Sequence, residues 1–236
     1  MKNHLSKGFN LLEWLVASFI SAMVIAGLTS VYLGIKNTYV RHQVVIDLQE
    51  SARFALSFLN LRIRVAGYVG CQYPQNPIAS DAVTGYDSNS ALPPALQDQV
   101  IKGTDALVIT SCVSNSQLSE NTQLISMAYF IGDTNRKNSL GMPILALFQK
   151  PLDGDRVELV PGVEQMHILY GVKNETEGVL DYFSASQVTD WQKVIGMQID
   201  LTINSIEPVF TKNNGVQDLL LHKNWSTYIT LRERLP

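Results

Sequence analysis

Residues 9–35 form an apolar run carrying one charged side chain, Glu13, and that run decides what kind of chain this can be. As a helix rising about 1.5 Å per residue it would be about 40 Å long, more than the hydrocarbon core of a bilayer requires. Lys2, His4 and Lys7 precede it with no acidic residue among them, so the positive-inside rule keeps the N-terminus in the cytoplasm and sends the C-terminal remainder of the chain across the membrane. Three ordinary readings each meet a physical objection. A cleaved secretory signal wants an apolar stretch of about 7–15 residues, and this one is far longer with a carboxylate inside it. A plain signal anchor has the length but gains nothing from a carboxylate that costs on the order of 1–3 kcal/mol to insert. A soluble buried helix would need a larger body around it than 236 residues provide.

The reading that gives Glu13 a role treats residues 1–8 as a leader ending at Gly8 and makes Phe9 the first mature residue. Cleavage there frees an amine on Phe9, a cation as costly to bury as the carboxylate. In a staggered bundle of parallel helices, Glu13 of one subunit can lie beside the amine of the next, neutralising both charges and setting the axial register. These residues, "KGFNLLEWLVA", resemble the class III signal of type IV pilins and pseudopilins. The resemblance implies cleavage between Gly8 and Phe9 by a prepilin peptidase, N-methylation of Phe9, and an assembly role for Glu13. Asn10 and Trp14 stand where that family usually has Ser or Thr and Leu; Gly8, Phe9 and Glu13 all follow its pattern.

Beyond the apolar run no proline or glycine interrupts residues 36–66, so the helix is expected to continue over 9–66, with 9–35 transmembrane. Val45, Leu48, Ala52, Leu56, Leu59, Ile63 and Ala66 recur at steps of three and four, and Phe54, Phe58, Leu61 and Val65 widen that stripe into a face built to bury. Residues 67–236 then make a globular β-rich domain outside the cytoplasm. In that compartment the two cysteines, Cys71 and Cys112, can form a bridge closing a loop of about 40 residues, worth roughly 3–4 kcal/mol in the loop-entropy model. The alternative is two unrelated buried thiols.

Within the domain, 72–104 reads mostly as loop from its prolines, glycines and small polar residues. Strand-like runs occupy 105–113, 124–131, 143–150, 155–162, 164–172 and 195–203, with a short helix or turn at 184–191 and a terminal strand within 225–236. Ile195, Met197, Ile199, Leu201 and Ile203 alternate with Gly196, Gln198, Asp200 and Thr202, which puts one face of that strand on a core. The class is α+β, a long helix on a mainly antiparallel sheet, which is pilin-like. "RIRVAGYVGC", "DALVITSC", "LVPGVEQMHILYGV", "VTDWQKVIGMQIDLTI" and "YITLRERLP" resemble, in order and spacing, the PilW-type minor pilin family.

A net charge of −3 and scattered Lys and Arg argue against a nucleic-acid partner. The sequence has no GxSxG, HExxH, GxGxxG, P-loop or CxxC pattern, and its histidines, His4, His42, His167 and His222, are far apart. Asp153 and Asp155 in "PLDGDR" are read as turn chemistry ahead of a calcium site. No enzyme activity, metal or cofactor is expected. The resemblance implies a minor pilin held in the inner membrane with its C-terminal domain in the periplasm, then incorporated in a type IV pilus whose assembly it primes, at the tip. Its implied partners are prepilin peptidase, other minor pilins, the major pilin and the inner-membrane assembly platform. The competing readings are a minor pseudopilin of a type II secretion filament and an uncleaved, membrane-anchored periplasmic binding module.

Overall fold

In the computed structural model, residues 10–66, 82–114, 122–173, 180–209 and 220–231 are described. The helix α1 spans Leu11–Arg64. It opens with the Asn10 carbonyl accepting from the backbone N–H groups of Glu13 at 2.9 Å and Trp14 at 3.2 Å. Glu13 in the first turn and Arg62 and Arg64 in the last carry the charges that the helix dipole favours at each end. The chain divides into two units inside this helix, Met1–Val45 and Ile46–Pro236.

In the first unit every side chain from Asn10 to Lys36 is exposed, on a helix long and apolar enough to cross a membrane. Its hydroxyls look after themselves. Ser18, Ser21, Thr29 and Thr38 donate to the carbonyls of Leu15, Ala17, Ile25 and Gly34 at 2.8–3.0 Å, one turn back along the helix.

In the second unit α1 buries Leu48, Ala52, Ala55, Leu59 and Ile63, and Ala66 is buried in the turn that follows it. This face is narrower than the sequence predicts: Phe54, Leu61 and Val65 are 52%, 63% and 41% exposed. Each stands two positions beyond a buried residue, about 200° around a helix of 3.6 residues per turn, so it cannot share the same face. Phe58 remains at the margin of the buried face, meeting Tyr129 edge-on with centroids 6.2 Å apart.

Nine strands follow among the described residues, in two antiparallel sheets. The first is a meander of β1 (Val83–Tyr86), β2 (Ala106–Ser114), β3 (Thr122–Lys137), β4 (Pro143–Pro151) and β5 (Val157–Pro161). The second, in the order β7-β6-β8-β9, contains β6 (Val163–Lys173), β7 (Leu180–Phe183), β8 (Val194–Asn204) and β9 (His222–Thr230). The predicted runs at 105–113, 143–150, 164–172 and 195–203 coincide with strands to within a residue or two. Two strands are not predicted by the sequence: β1, inside the stretch read as loop, and β7; each is four residues long.

The first sheet is buried on both faces. Leu107, Ile109, Tyr129, Ile131 and Leu147 point one way; Ala106, Val108, Ala128, Phe130, Ala146 and Phe148 point the other and pack with Leu96. Phe130 and Phe148, directly paired across β3 and β4, stack with centroids 6.0 Å apart. The segment carrying Leu96 is held down by Lys150, whose Nζ donates to the Ala95 carbonyl at 3.2 Å. In the second sheet Met166, Ile168, Tyr170, Met197, Ile199, Leu201 and Ile203 are buried, as alternation predicts. Ile195 departs from that pattern, because the β6–β8 register shifts between Gly171 and Val172 and the strand bulges there.

Backbone and carboxylate contacts join the sheets. The Asp105 N–H donates to the Met166 carbonyl at 2.8 Å, and the Gly162 N–H to Leu145 at 2.8 Å. Asp87 Oδ2 accepts from the Ser186 N–H at 2.9 Å, tying the end of β1 to a 3-10 turn at Ala185–Gln187.

Candidate functional site

The residues that the sequence marks for processing, Gly8 and Phe9, lie outside the described residues, as does Cys71. Glu13 is the marked residue that is described. It sits exposed in the first turn of α1, where three successive charge-free positions, Asn10, Leu11 and Leu12, precede it. Downstream of it the exposed surface from Trp14 to Ile35 is apolar apart from hydroxyls, and the hydroxyls of Ser18, Ser21 and Thr29 are satisfied within the helix. Gly27 and Gly34 have no heavy atom near the place a Cβ would occupy, leaving open notches along the rod. Val31, Ile35, Thr38, Tyr39 and His42 line the one at Gly34. Such a surface has nothing to do chemically; it is suited to packing, in lipid or against other apolar helices, with a single carboxylate available as a polar address.

Cys112 lies on β2, paired with Leu124 of β3, and its side chain is outside the described residues. The histidines are dispersed. His42 is exposed on α1, His167 Nδ1 stands 3.8 Å from Asp105 Oδ2, and His222 Nδ1 is 2.8 Å from Glu164 Oε2. Glu164 also accepts from Asn204 Nδ2 at 2.6 Å, so it joins β6, β8 and β9 at one end of their sheet. Among the described residues no group of three or more His, Cys, Asp or Glu side chains is placed to share a metal ion. Asp153 and Asp155 fall in the turn between β4 and β5.

One polar cluster is not visible in the sequence. Asp87 follows β1 and Asp105 precedes β2; the register Tyr86↔Ala106 brings the two acids to the same end of that ladder. Tyr170 of β6 presses its hydroxyl against Gly85, so closely that a Cβ there would lie 1.9 Å from the oxygen. That hydroxyl is buried and finds no hydrogen-bond partner among the described residues. Burial pushes Tyr170 well above the usual tyrosine range, and the charges of Asp105 and Asp87 add to the effect. Burial also raises Asp105, with Asp87 adding to it, against the N–H of Ile168 and the nearby His167. Asp87 is itself pushed up by burial, but hydrogen bonds from Ser186, Ser90 and Asn89 outweigh that and hold its carboxyl well below the ordinary range. The cluster reads as a structural seam: Asp87 makes an Asx-type turn to the Asn89 N–H at 2.9 Å, and Trp191 covers Tyr170 edge-on at 4.9 Å between centroids.

The comparison that bears on this fold falls on its strands. Residues 128–225, from the middle of β3 into β9, match the family model described as type IV pilus-assembly protein W, PilW. Over that span, 98 of the chain's 236 residues, the chain is similar to the PilW family. Of the stretches that resemble PilW in the sequence, those at 159–172 and 188–203 lie within the matched span, and those at 62–71, 105–112 and 228–236 lie outside it. A type IV-like pilin from Thermus thermophilus superimposes over 80% of this chain and 98% of its own length, with a TM-score of 0.43 and 11% identity. No curated protein matches the sequence. The architecture is α+β, a long apolar N-terminal helix with antiparallel sheets.

Proposed function

We propose that this chain is a minor pilin of the PilW family, made as a precursor that the inner membrane holds by residues 9–35 with residues 67–236 in the periplasm. The observation that carries the reading is a helix whose surface is exposed and apolar from Leu11 to Ile35 with Glu13 alone charged, on the same chain as the PilW match. Prepilin peptidase cuts between Gly8 and Phe9, and the new amine of Phe9 is methylated. An assembly platform then lifts the helix out of the bilayer, where Glu13 pairs with the terminal amine of a neighbouring minor or major pilin. Lipid and helix neighbours are similarly apolar, so the transfer needs little work against the hydrophobic effect. In this role the protein primes a type IV pilus and stays at its tip. A Cys71–Cys112 bridge fixes the chain after the helix to β2.

Intact and N-terminal-peptide mass spectrometry of the membrane-extracted protein, without reductant, tests the processing. The expected species begins at methylated Phe9 and is two hydrogens lighter than its dithiol form. A chain that still begins at Met1 in cells with active prepilin peptidase overturns the reading. Deletion of the gene separates pilus from secretion filament: loss of surface pili supports the proposal, and blocked release of exoproteins with normal pili contradicts it.

A further inference from the structure

The outer face of the four-stranded sheet carries a glycine pair overlaid by an aromatic corner. Gly171 on β6 and Gly196 on β8 stand directly opposite each other. Glycine inside a strand weakens it and marks a place where another group must approach the backbone closely. Here the group is Tyr228 of β9. A Cβ on Gly196 would lie 2.3 Å from the Tyr228 hydroxyl oxygen, and one on Gly171 would lie 3.5 Å from the same atom. Tyr182, the β7 partner of Gly171, closes the other side, its ring 3.7 Å from that same Cβ position. The two rings meet with centroids 6.2 Å apart and planes 73° to each other, an L-shaped corner resting on a glycine floor. Tyr182 is 45% exposed and Tyr228 40%, so both present ring surface to solvent.

Registers set the neighbours of this corner. Leu169, Gln198 and Tyr228 form one row across β6, β8 and β9, and His167, Asp200 and Ser226 form the next. Gln198 Nε2 donates to both oxygens of Asp200 at 3.3 Å, which fixes an amide and a carboxylate side by side next to the rings. Those two rows contain one carboxylate and no Lys or Arg. A protein partner wants about 800 Å² per side with an apolar centre, whereas here the apolar surface is two half-covered rings and Leu169, and the next row is polar. An anionic ligand would face Asp200. What fits is a molecule with an apolar C–H face for the rings and uncharged hydroxyls for the amide, carboxylate and serine.

We propose that Tyr182, Tyr228, Gln198 and Asp200 bind a neutral oligosaccharide on the outer face of this sheet. The inference does not depend on the pilus reading, because the ligand is met by the folded domain whatever the fate of the N-terminal helix. The test uses the full chain in a detergent that carries no sugar headgroup, titrated by calorimetry with neutral tetrasaccharides of glucose, galactose and N-acetylglucosamine and with one sialylated chain. Saturable binding to at least one neutral chain is expected, weakened about tenfold or more by Tyr228→Ala and by Tyr182→Ala and kept by Tyr228→Phe. Tyr182→Ala, on a short edge strand, serves if Tyr228→Ala does not fold. No saturable binding to any neutral chain up to about 10 mM, a preference for the sialylated chain, or binding indifferent to both alanine variants overturns the proposal.

Discussion

The carboxylate of Asp105 accepts the backbone N–H of Ile168 at 2.8 Å, which joins the start of β2 to β6. β7 pairs with β6 over residues 170–173, and the adjoining stretch of β6 would present unpaired backbone at a sheet edge. Asp105 covers it with its own N–H on Met166 and its side chain on Ile168. Asp105, which lies outside both sheets, is thus one of the residues that join them.

This arrangement predicts opposite pH signatures for the two seam acids. Asp105 is raised by burial, so its contribution to stability is fully present below the unfolded pKa and is lost as pH rises through the folded one; Asp87 is lowered, so its contribution is present above the ordinary carboxylate value and is lost as pH falls. Asp87→Asn should therefore lose about 1–3 kcal/mol at neutral pH, and the loss should begin to shrink as pH falls below the ordinary carboxylate value. Asp105→Asn, which keeps an oxygen for Ile168, should be neutral or stabilising at neutral pH. Thermal unfolding of both variants from about pH 3 to pH 7 reads this directly; a larger loss at neutral pH for Asp105→Asn than for Asp87→Asn would refute it.

The hydroxyl of Tyr170 is buried with no partner among the described residues, so removing it relieves a desolvation penalty. Tyr170→Phe is expected to leave stability unchanged or raise it by up to about 1 kcal/mol. Gly85→Ala drives a methyl into the same ring and should destabilise by about 1–3 kcal/mol or more. Urea unfolding measures both, and a clear loss in Tyr170→Phe would show that the hydroxyl is bonded after all.

On the helix, Leu59 is fully buried and Leu61 is 63% exposed. Leu59→Ala should cost about 2–5 kcal/mol, while Leu61→Ala should stay within about 0.5 kcal/mol. Comparable losses for the two in the isolated protein would mean that the buried face is wider than its side chains indicate.

Glu13→Ala should insert and be cleaved normally but enter pili poorly. Immunoblots of the membrane fraction and of sheared pili from the same cells separate the two steps. Normal amounts in sheared pili would count against pairing between Glu13 and a neighbour's amine.

The sequence discloses whatever is encoded locally. Glu13 stands out because one charge in a long apolar run is anomalous wherever it folds, and β8 declares itself because Met197, Ile199, Leu201 and Ile203 alternate over a long enough stretch to read. β1 and β7 are too short for any period and exist because β2 and β6 offer them an edge. Leu61 reads as core when its apolar character is weighed more heavily than its angle around the helix. The seam and the aromatic corner are hidden for a further reason: Gly85 matters for the side chain it lacks, and Tyr182 meets Tyr228 across 46 positions through a register that no local pattern states.

The hydroxyls of Ser18, Ser21, Thr29 and Thr38 each close a bond onto their own helix. A segment built this way is portable. It carries its polar satisfaction with it, so leaving one apolar surrounding for another breaks no hydrogen bond at these positions, and shape and the one carboxylate are left to decide where it comes to rest.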